Sequence, residues 1–298
     1  NLRSQVEWNG LGKFMAEIGI IGGSGFYEFL APASAEAMAG KSEEVAIDTP
    51  FGEPSDKILL AQYCGKKIAF LPRHGKKHHL PPHQINYRAN LFALKKLGVK
   101  QIIAPSAVGS LKPAIEPGHF VICDQFLNLT HLRADTFFNG GKTESIEGEL
   151  FHRVAHISMA EPYCPELRNL AAKACLGLDI VHHQQGTVLI IDGPRFSTKA
   201  ESNFFANFAD VINMTQYPEV ALARELEMCY LNISLVTDYD AGLQGRDDIK
   251  PVSGQDVLRV FKENNEKVKQ VILEIIKNLS PAETPACLCG QALKQAFL

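Results

Sequence analysis

The stretch Asp210–Glu227 constrains the fold more than any other part of the sequence. Val211 and Ile212 form a short apolar run that is typical of the end of a buried strand. Pro218 then predicts a helix start, because proline has no N–H to lose at the first helical position, and apolar residues follow it at helical spacing. Residues 213–215 are therefore expected between a strand end and a helix N-terminus, where α/β proteins bind ligands and an anion is favoured. Spacing alone equally fits a plain crossover with a polar turn.

Strand-like and helix-like segments alternate through most of the 298 residues. This alternation predicts an α/β fold with a mixed central β-sheet flanked by helices. Residues 1–14 show no period and precede Met15 and a strong strand, so we interpret them as a cloning remnant. We expect one domain over residues 15–280 and a C-terminal tail over 281–298 that carries a Cys-x-Cys pair.

The composition excludes several classes of partner. A net charge of −3 gives no basic excess for nucleic acid or an acidic membrane surface. No apolar run approaches the roughly 20 residues that span a bilayer, and the first residues do not resemble a secretory signal, which predicts a cytoplasmic protein. The 7 cysteines are mostly widely spaced, so free thiols are expected. Cys287-Leu-Cys289 could instead form a strained, easily reduced disulfide.

Two segments near the N-terminus suit an anion. Ile18–Phe26 reads as a strand that enters a glycine-rich turn, where backbone N–H groups and the Ser24 hydroxyl could surround phosphate. The glycine spacing does not match a dinucleotide-binding loop. Arg73 and His74 follow a second predicted strand, and arginine can hold phosphate through two parallel hydrogen bonds. An ordinary surface Arg-His pair is the alternative.

Two later segments could carry the rest of a site. Pro105–Leu111 follows strand 101–104 and is predicted to be a turn whose small residues allow close backbone approach to a ligand. The run Met228–Val236 predicts a strand that ends near Asp238 and Asp240, and alternation can place both carboxylates on one side. A turn or a metal site is also possible there, but no further ligands have convincing spacing, so no metal site is predicted.

Five blocks in a fixed order resemble the purine nucleoside phosphorylase superfamily, in its trimeric branch, over about residues 17–279. They are Ser24, Arg73-His74, Ser106–Gly109, Pro194–Ser197 and Asn213–Thr215, the last followed by Pro218-Glu219. The resemblance implies a single-domain nucleoside phosphorylase fold over residues 15–280 and phosphorolysis of an N-glycosidic bond. It implies a purine nucleoside and phosphate as partners, phosphate being a co-substrate, with no cofactor. It also implies a homotrimer, or a hexamer built as a dimer of trimers.

The resemblance assigns roles residue by residue. Met214 is expected against the ribose, His156 in a neighbouring subunit's pocket, and Asp238 as the acid toward the purine N7 with Asp240 beside it. The implied phosphate site is Ser24, Arg73, His74, Ser106, Ala107 and Thr215. The implied nucleoside site is Val108, Gly109, His156, Phe196, Ser197, Asn213, Met214, Val257 and Leu258.

Two features indicate the substrate. Related enzymes for 6-oxopurine nucleosides use a histidine near the start of the last helix, whereas this chain has Val257 and Leu258 there, which suit a 5′-methylthio group. Those enzymes carry Asn where this chain has Asp238, so adenine is the expected leaving base. The expected substrate is therefore 5′-methylthioadenosine. Alternatives are a 6-oxopurine nucleoside or methylthioinosine phosphorylase, a hydrolase, or a non-catalytic nucleotide-binding module. Phosphate-dependent release of the base distinguishes a phosphorylase from the last two.

Overall fold

The structure is a computed structural model that describes residues 15–23, 42–131, 133–140, 149–243, 248–249, 251–279 and 287–297. The strands are β1 (Ile18–Gly22), β2 (Glu43–Val45), β3 (Ile58–Tyr63), β4 (Lys66–Pro72), β5 (Gln101–Ser110), β6 (Phe120–Val121), β7 (Gln125–Asn128), β8 (His182–His183), β9 (Thr187–Ile190), β10 (Val211–Asn213) and β11 (Cys229–Asp238). The helices are α1 (Tyr87–Lys96), α2 (Pro165–Gly177), α3 (Lys199–Phe205), α4 (Gln216–Glu225) and α5 (Gly254–Asn278), with short 3₁₀ turns at Pro82–Gln84, Glu149–His152 and Cys289–Gln291.

Strand β5 is the centre of a mixed sheet. The main path of the sheet runs β2-β3-β4-β1-β5-β10-β9-β7, and β11, β6 and β8 branch from β5. Strands β1 and β11 run parallel to β5, whereas β10 runs antiparallel to its end. Apolar side chains cover both faces, with α1 and α4 on one face and α2 and α5 on the other. This arrangement confirms the predicted α/β class, a mixed central sheet flanked by helices.

The predicted turn at Pro105–Leu111 is wrong, because β5 continues through Ser110. Its parallel neighbour β11 is equally long and supplies hydrogen-bond partners along the whole run, from Gln101 to Gly109. Small residues therefore mark a strand that comes close to a ligand site, not a turn. The register shifts by one residue between Val236 and Asp238, and this bulge places Asp238 opposite Gly109.

Two further segments are each divided in two. Residues 82–97 form a 3₁₀ turn followed by α1, because the Asn86 side chain accepts a hydrogen bond from the Ala89 N–H and starts a new helix. Residues 118–128 contain β6, which pairs with β11, and β7, which pairs with β9. The chain changes neighbours between them.

Local sequence signals explain other element boundaries. Strands β3 and β4 form an antiparallel hairpin. Helix α3 begins with a capping box, since Thr198 accepts from the Glu201 N–H and Glu201 accepts from the Thr198 N–H. Helix α5 begins after its N-cap Ser253.

The C-terminal segment 287–297 packs on the domain. Cys287 and Cys289 join one core cluster, while Leu293 and Ala296 join the other. The backbone N–H of His156 donates to the Ala296 carbonyl at 2.8 Å. The segment therefore supports the loop that carries His156.

Candidate active site

A cavity of about 880 Å³ opens where β4, β5, β10 and β11 end. It brings together most of the side chains that the sequence indicated, although they come from distant parts of the chain. The predicted residues that line it are Arg73, His74, Ser106, Ala107, Val108, Gly109, Phe196, Asn213, Met214, Thr215, Asp238, Asp240, Val257 and Leu258. The predicted strand–turn–helix is confirmed there, with β10 ending at Asn213 and Thr215 serving as the N-cap of α4.

Three predicted residues are not among those lining the cavity. Ser24 lies outside the described residues. His156 is exposed on the surface loop, so within its own chain it does not reach the cavity. Ser197 lies off the lining, and its hydroxyl is buried without a hydrogen-bond partner among the described residues.

Arg73 is held almost completely by protein. It is 2% exposed and forms a buried ion pair with Glu219 of α4, through Nε at 2.5 Å and Nη2 at 3.0 Å. Two further N–H groups of Arg73 donate to the carbonyl oxygens of Ile21 and Pro105, both at 3.1 Å. Burial acts to lower the pKa of Arg73, but the adjacent Glu219 carboxylate outweighs it, so the pKa lies above its usual value.

The expected two-point grip of Arg73 on phosphate is therefore wrong for this structure. The paired N–H groups that could hold phosphate already hold Glu219. Arg73 has five N–H donors, and the contacts above use Nε, both hydrogens of Nη2 and one of Nη1. A single N–H remains for a ligand in the cavity.

His74 enters the cavity as a neutral ring. Its Nδ1 lies 2.8 Å from the Leu80 carbonyl oxygen, which can only accept, so Nδ1 carries the proton. Burial, reinforced by the nearby Arg73 charge, lowers the pKa of His74 to about 4. At neutral pH, Nε2 is thus an acceptor that suits the O–H of hydrogen phosphate, and His74 adds no positive charge.

Asn213 shapes the turn before α4. Its Oδ1 accepts from the N–H groups of Thr215 at 2.7 Å and Gln216 at 2.8 Å, and its Nδ2 donates to the Ala107 carbonyl at 2.8 Å. The Asn213 amide is thereby occupied by protein, so it positions Thr215 and links β10 to β5. The Thr215 hydroxyl donates to the same Oδ1 at 3.2 Å and lines the cavity.

A buried polar network beneath the cavity holds Ser106. Its Oγ lies 3.1 Å from Asn232 Nδ2, which also donates to the Ala104 carbonyl at 2.7 Å. Asn232 Oδ1 accepts from Ser234, whose Oγ also accepts from Gln216 Nε2 at 3.0 Å. The sequence did not indicate Asn232, Gln216 or Glu219 as supports. The only signal was Glu219 within the Pro-Glu pair that follows the 213–215 block.

Asp238 ends β11 with both carboxyl oxygens anchored. Oδ1 accepts from the Asp240 N–H and Oδ2 from the Thr237 hydroxyl, both at 2.7 Å. Burial raises the pKa of Asp238 to about 6, despite these hydrogen bonds. The Thr237 hydroxyl also lies 3.3 Å from the Val108 carbonyl, so it can donate there when Asp238 carries a proton. Asp238 is thus a carboxyl group that gains and loses a proton close to neutral pH.

Asp240 lies beside Asp238 in the left-handed region, with φ 47°. It is 3% exposed, and burial raises its pKa as well. The nearby hydroxyls of Ser197 and Ser202 act against this rise in pKa, and among the described residues Oδ2 of Asp240 has no partner within hydrogen-bond distance. A buried acceptor without a donor is costly, so Asp240 offers a place for a ligand N–H.

Apolar side chains of Phe196, Val257 and Leu258 also line the cavity, and Leu258 is 65% exposed. The polar residues Lys262 and Asn265 of α5 belong to the same lining. Met214 lies against Gly193, which has φ 68°, and a Cβ at that glycine would come within 2.5 Å of the Met214 sulfur. The absence of a side chain at Gly193 therefore leaves room for the Met214 side chain. The cavity can hold a molecule with an anionic end, a polar edge and an apolar end.

A family model described as the phosphorylase superfamily matches residues 17–277. The chain belongs to this superfamily. S-methyl-5′-thioadenosine phosphorylase of Pyrococcus furiosus is 48% identical over 284 residues, which cover 95% of this chain and 100% of that protein. A purine nucleoside phosphorylase of Streptomyces coelicolor is 45% identical over 94% of this chain and 95% of its own.

Solved structures of phosphorylases are also similar to this chain in fold and in sequence. A methylthioadenosine phosphorylase from an antarctic soil metagenomic library superposes with a TM-score of 0.82 and is 39% identical, covering 96% of this chain and 93% of that one. A methylthioadenosine phosphorylase of Schistosoma mansoni in complex with adenine superposes with a TM-score of 0.77 at 36% identity, covering 88% of this chain and 91% of that one. None of the helices that the structure describes has the length and apolar character needed to cross a bilayer.

The ion pair gives a first prediction for this phosphorylase. Glu219→Gln leaves the buried Arg73 charge without a counter-charge, so the free energy of unfolding should fall by about 3–5 kcal/mol. Urea unfolding at pH 7 measures this change. Glu263→Gln is the matched control, because it breaks the exposed pair with Arg259 and should cost less than about 1 kcal/mol. Equal losses in the two variants would contradict a special role for the buried pair.

Proposed function

We propose that this phosphorylase uses phosphate to cleave the N-glycosidic bond of 5′-methylthioadenosine. The products are adenine and 5-methylthioribose 1-phosphate. The observation that carries the proposal is the pair Asp238 and Asp240 on the polar edge of the cavity. Burial raises the pKa of Asp238 to about 6, and Oδ2 of the buried Asp240 has no hydrogen-bond partner among the described residues. Several relatives named above act on methylthioadenosine by their names.

Phosphate takes the end of the cavity near α4. The remaining Arg73 N–H and the Thr215 hydroxyl donate to it, and His74 Nε2 accepts from its O–H. Ser106, held by Asn232, adds a hydroxyl. Phosphate oxygen then attacks C1′ of the ribose while the bond to the purine breaks. Holding the two reactants together in this orientation removes much of the entropic barrier.

The purine leaves with the electrons of the broken bond. A protonated Asp238 donates to N7 and neutralises the negative charge that develops on the ring. Asp240 Oδ2 accepts from the 6-amino group, which a 6-oxopurine does not have. Met214 packs against the ribose, and Val257 and Leu258 pack against the methylthio group. This chemistry needs no cofactor, since phosphate is a co-substrate.

We also propose a homotrimer, with a hexamer built from two trimers as the alternative. Strand β7 lies at the edge of the sheet, and Leu127 and the following Leu129 are 38% and 41% exposed. Phe204 and Phe208 are 62% and 58% exposed. Apolar exposure of this kind is typical of surfaces that another subunit covers. Sedimentation at micromolar concentration distinguishes these assemblies from a monomer.

The cytoplasmic location stays a prediction from the sequence.

The proposed function is tested with four nucleosides, each with and without phosphate. Methylthioadenosine, adenosine, methylthioinosine and inosine vary the 5′ group and the 6 position independently. Base release from methylthioadenosine that depends on phosphate supports the proposal. Turnover without phosphate indicates a hydrolase, and binding without turnover indicates a nucleotide-binding module.

The apolar wall predicts a preference for the 5′-methylthio group. We expect kcat/KM for methylthioadenosine to exceed that for adenosine by about tenfold or more, because Val257 and Leu258 offer the 5′ group apolar side chains. Leu258→Gln should narrow this ratio. Leu176→Gln is the control, since Leu176 is 75% exposed and lies outside the cavity lining. Equal kcat/KM values for the two nucleosides in the wild type would contradict the assignment of this wall.

The carboxyl pair predicts base choice and its pH dependence. The protonated form of Asp238 predominates below its raised pKa of about 6, so kcat/KM for methylthioadenosine should fall as pH rises through 6. The Asp238→Asn variant should no longer show this fall of kcat/KM with pH, and it should lose most of its activity on methylthioadenosine. Its discrimination between methylthioadenosine and methylthioinosine should shift toward the latter by about 10²-fold or more.

Saturating phosphate in both proteins removes the titration of free phosphate from the comparison. Asp179→Asn makes the same chemical change at an exposed site and should keep the wild-type profile. An Asp238→Asn variant that keeps the preference for the amino base would show that Asp238 does not select it.

A further inference from the structure

Four buried thiols meet on the face of the sheet that α2 and α5 cover. They belong to Cys164, Cys229, Cys287 and Cys289, and all are 9% exposed or less. Their sulfur atoms all lie within 4.8 Å of one another. None lines the active-site cavity. The sequence predicted no metal site, and Cys164 and Cys229 are far from the Cys-x-Cys pair along the chain.

The spacing of the four sulfurs fits a tetrahedral ion. A Zn–S bond is about 2.3 Å long, so the sulfurs of a tetrathiolate lie about 3.8 Å apart. Here the Cys229 and Cys287 sulfurs are 3.4 Å apart, and no pair exceeds 4.8 Å. Only small side-chain adjustments separate this cluster from such a site. Four thiols in a tetrahedron are typical of structural zinc centres.

The surroundings of Cys164 favour the thiolate form of its side chain. Cys164 is the N-cap residue of α2, a helix of 13 residues, so its sulfur lies at the positive end of the helix dipole. The backbone also fixes the elements that carry two of the cysteines. The N–H of Cys164 donates to the Tyr230 carbonyl at 2.9 Å, next to Cys229.

We propose that these four cysteines bind a structural Zn²⁺ ion as thiolates. Binding forms four Zn–S bonds and releases four protons, with no change of oxidation state. The ion would fasten the C-terminal segment 287–297 to α2 and β11. That segment contacts the loop of His156 through the Ala296 carbonyl and through a bridge between Ala155 and Phe297. The zinc site therefore holds a surface loop in place from outside the active site.

The first test measures metal in the full-length protein. The protein is purified under reducing conditions without chelator, and zinc is measured by elemental analysis, with one zinc ion per chain expected. Replacement of zinc by Co²⁺ should give the absorption bands of a tetrahedral tetrathiolate. The double variant Cys287→Ser, Cys289→Ser should retain less than about a tenth of the wild-type zinc. Cys175→Ser is the matched control, because Cys175 is buried in the same core cluster and lies outside the four-thiol group.

The results that overturn the proposal are equally definite. Freshly reduced protein that contains no zinc and takes up no added Zn²⁺ has no such site. A native mass lower by two hydrogens per bond, with these four thiols unreactive after denaturation, identifies disulfides instead. Zinc that persists in the double variant belongs to another site. If the double variant does not fold, the Co²⁺ spectrum of the wild-type chain and Cys287→His, which keeps a zinc ligand, still decide the question.

Discussion

The buried ion pair between Arg73 and Glu219 is the interaction on which the arrangement of the active site depends. Arg73 lies just after β4, Glu219 lies in α4, and the guanidinium also reaches carbonyls of β1 and β5. Tyr230 of β11 donates to the same Glu219 carboxylate at 2.8 Å. Four strands and a helix thus converge on two side chains. Such a pair costs free energy to desolvate, so its value lies in fixing the positions of these elements relative to one another.

The polar supports around this pair determine what the cavity can bind. Asn213 and Asn232 use their amides on protein groups and thereby hold Thr215 and Ser106 in place. At the proposed phosphate end, Glu219 balances the charge of Arg73 and His74 is neutral, while Lys76 lines the same cavity and pairs with Glu44. Oriented N–H and O–H donors therefore contribute much of the proposed anion binding.

The sequence predicted the residues that line the cavity better than the buried residues that support them. Asp238 and Thr215 follow strands, and such positions can be identified because strand ends in α/β folds converge on ligands. Glu219 occupies a buried position in α4, so its partner emerges only when the helix packs against β4. The Pro105–Leu111 run was misread as a turn because small residues are ambiguous until β11 lies alongside. The four-thiol group likewise depends on packing between distant segments.

Gly109 limits how this cavity can change during evolution. A Cβ at this position would come within 2.9 Å of Asp238 Oδ1 and within 3.2 Å of the Asp240 Cβ. Any larger residue would therefore press on both acidic side chains at once. A substitution at this position of β5 would disturb the proposed proton donor together with the proposed partner of the 6-amino group. A change of base preference is therefore better made by exchanging the acidic side chains themselves.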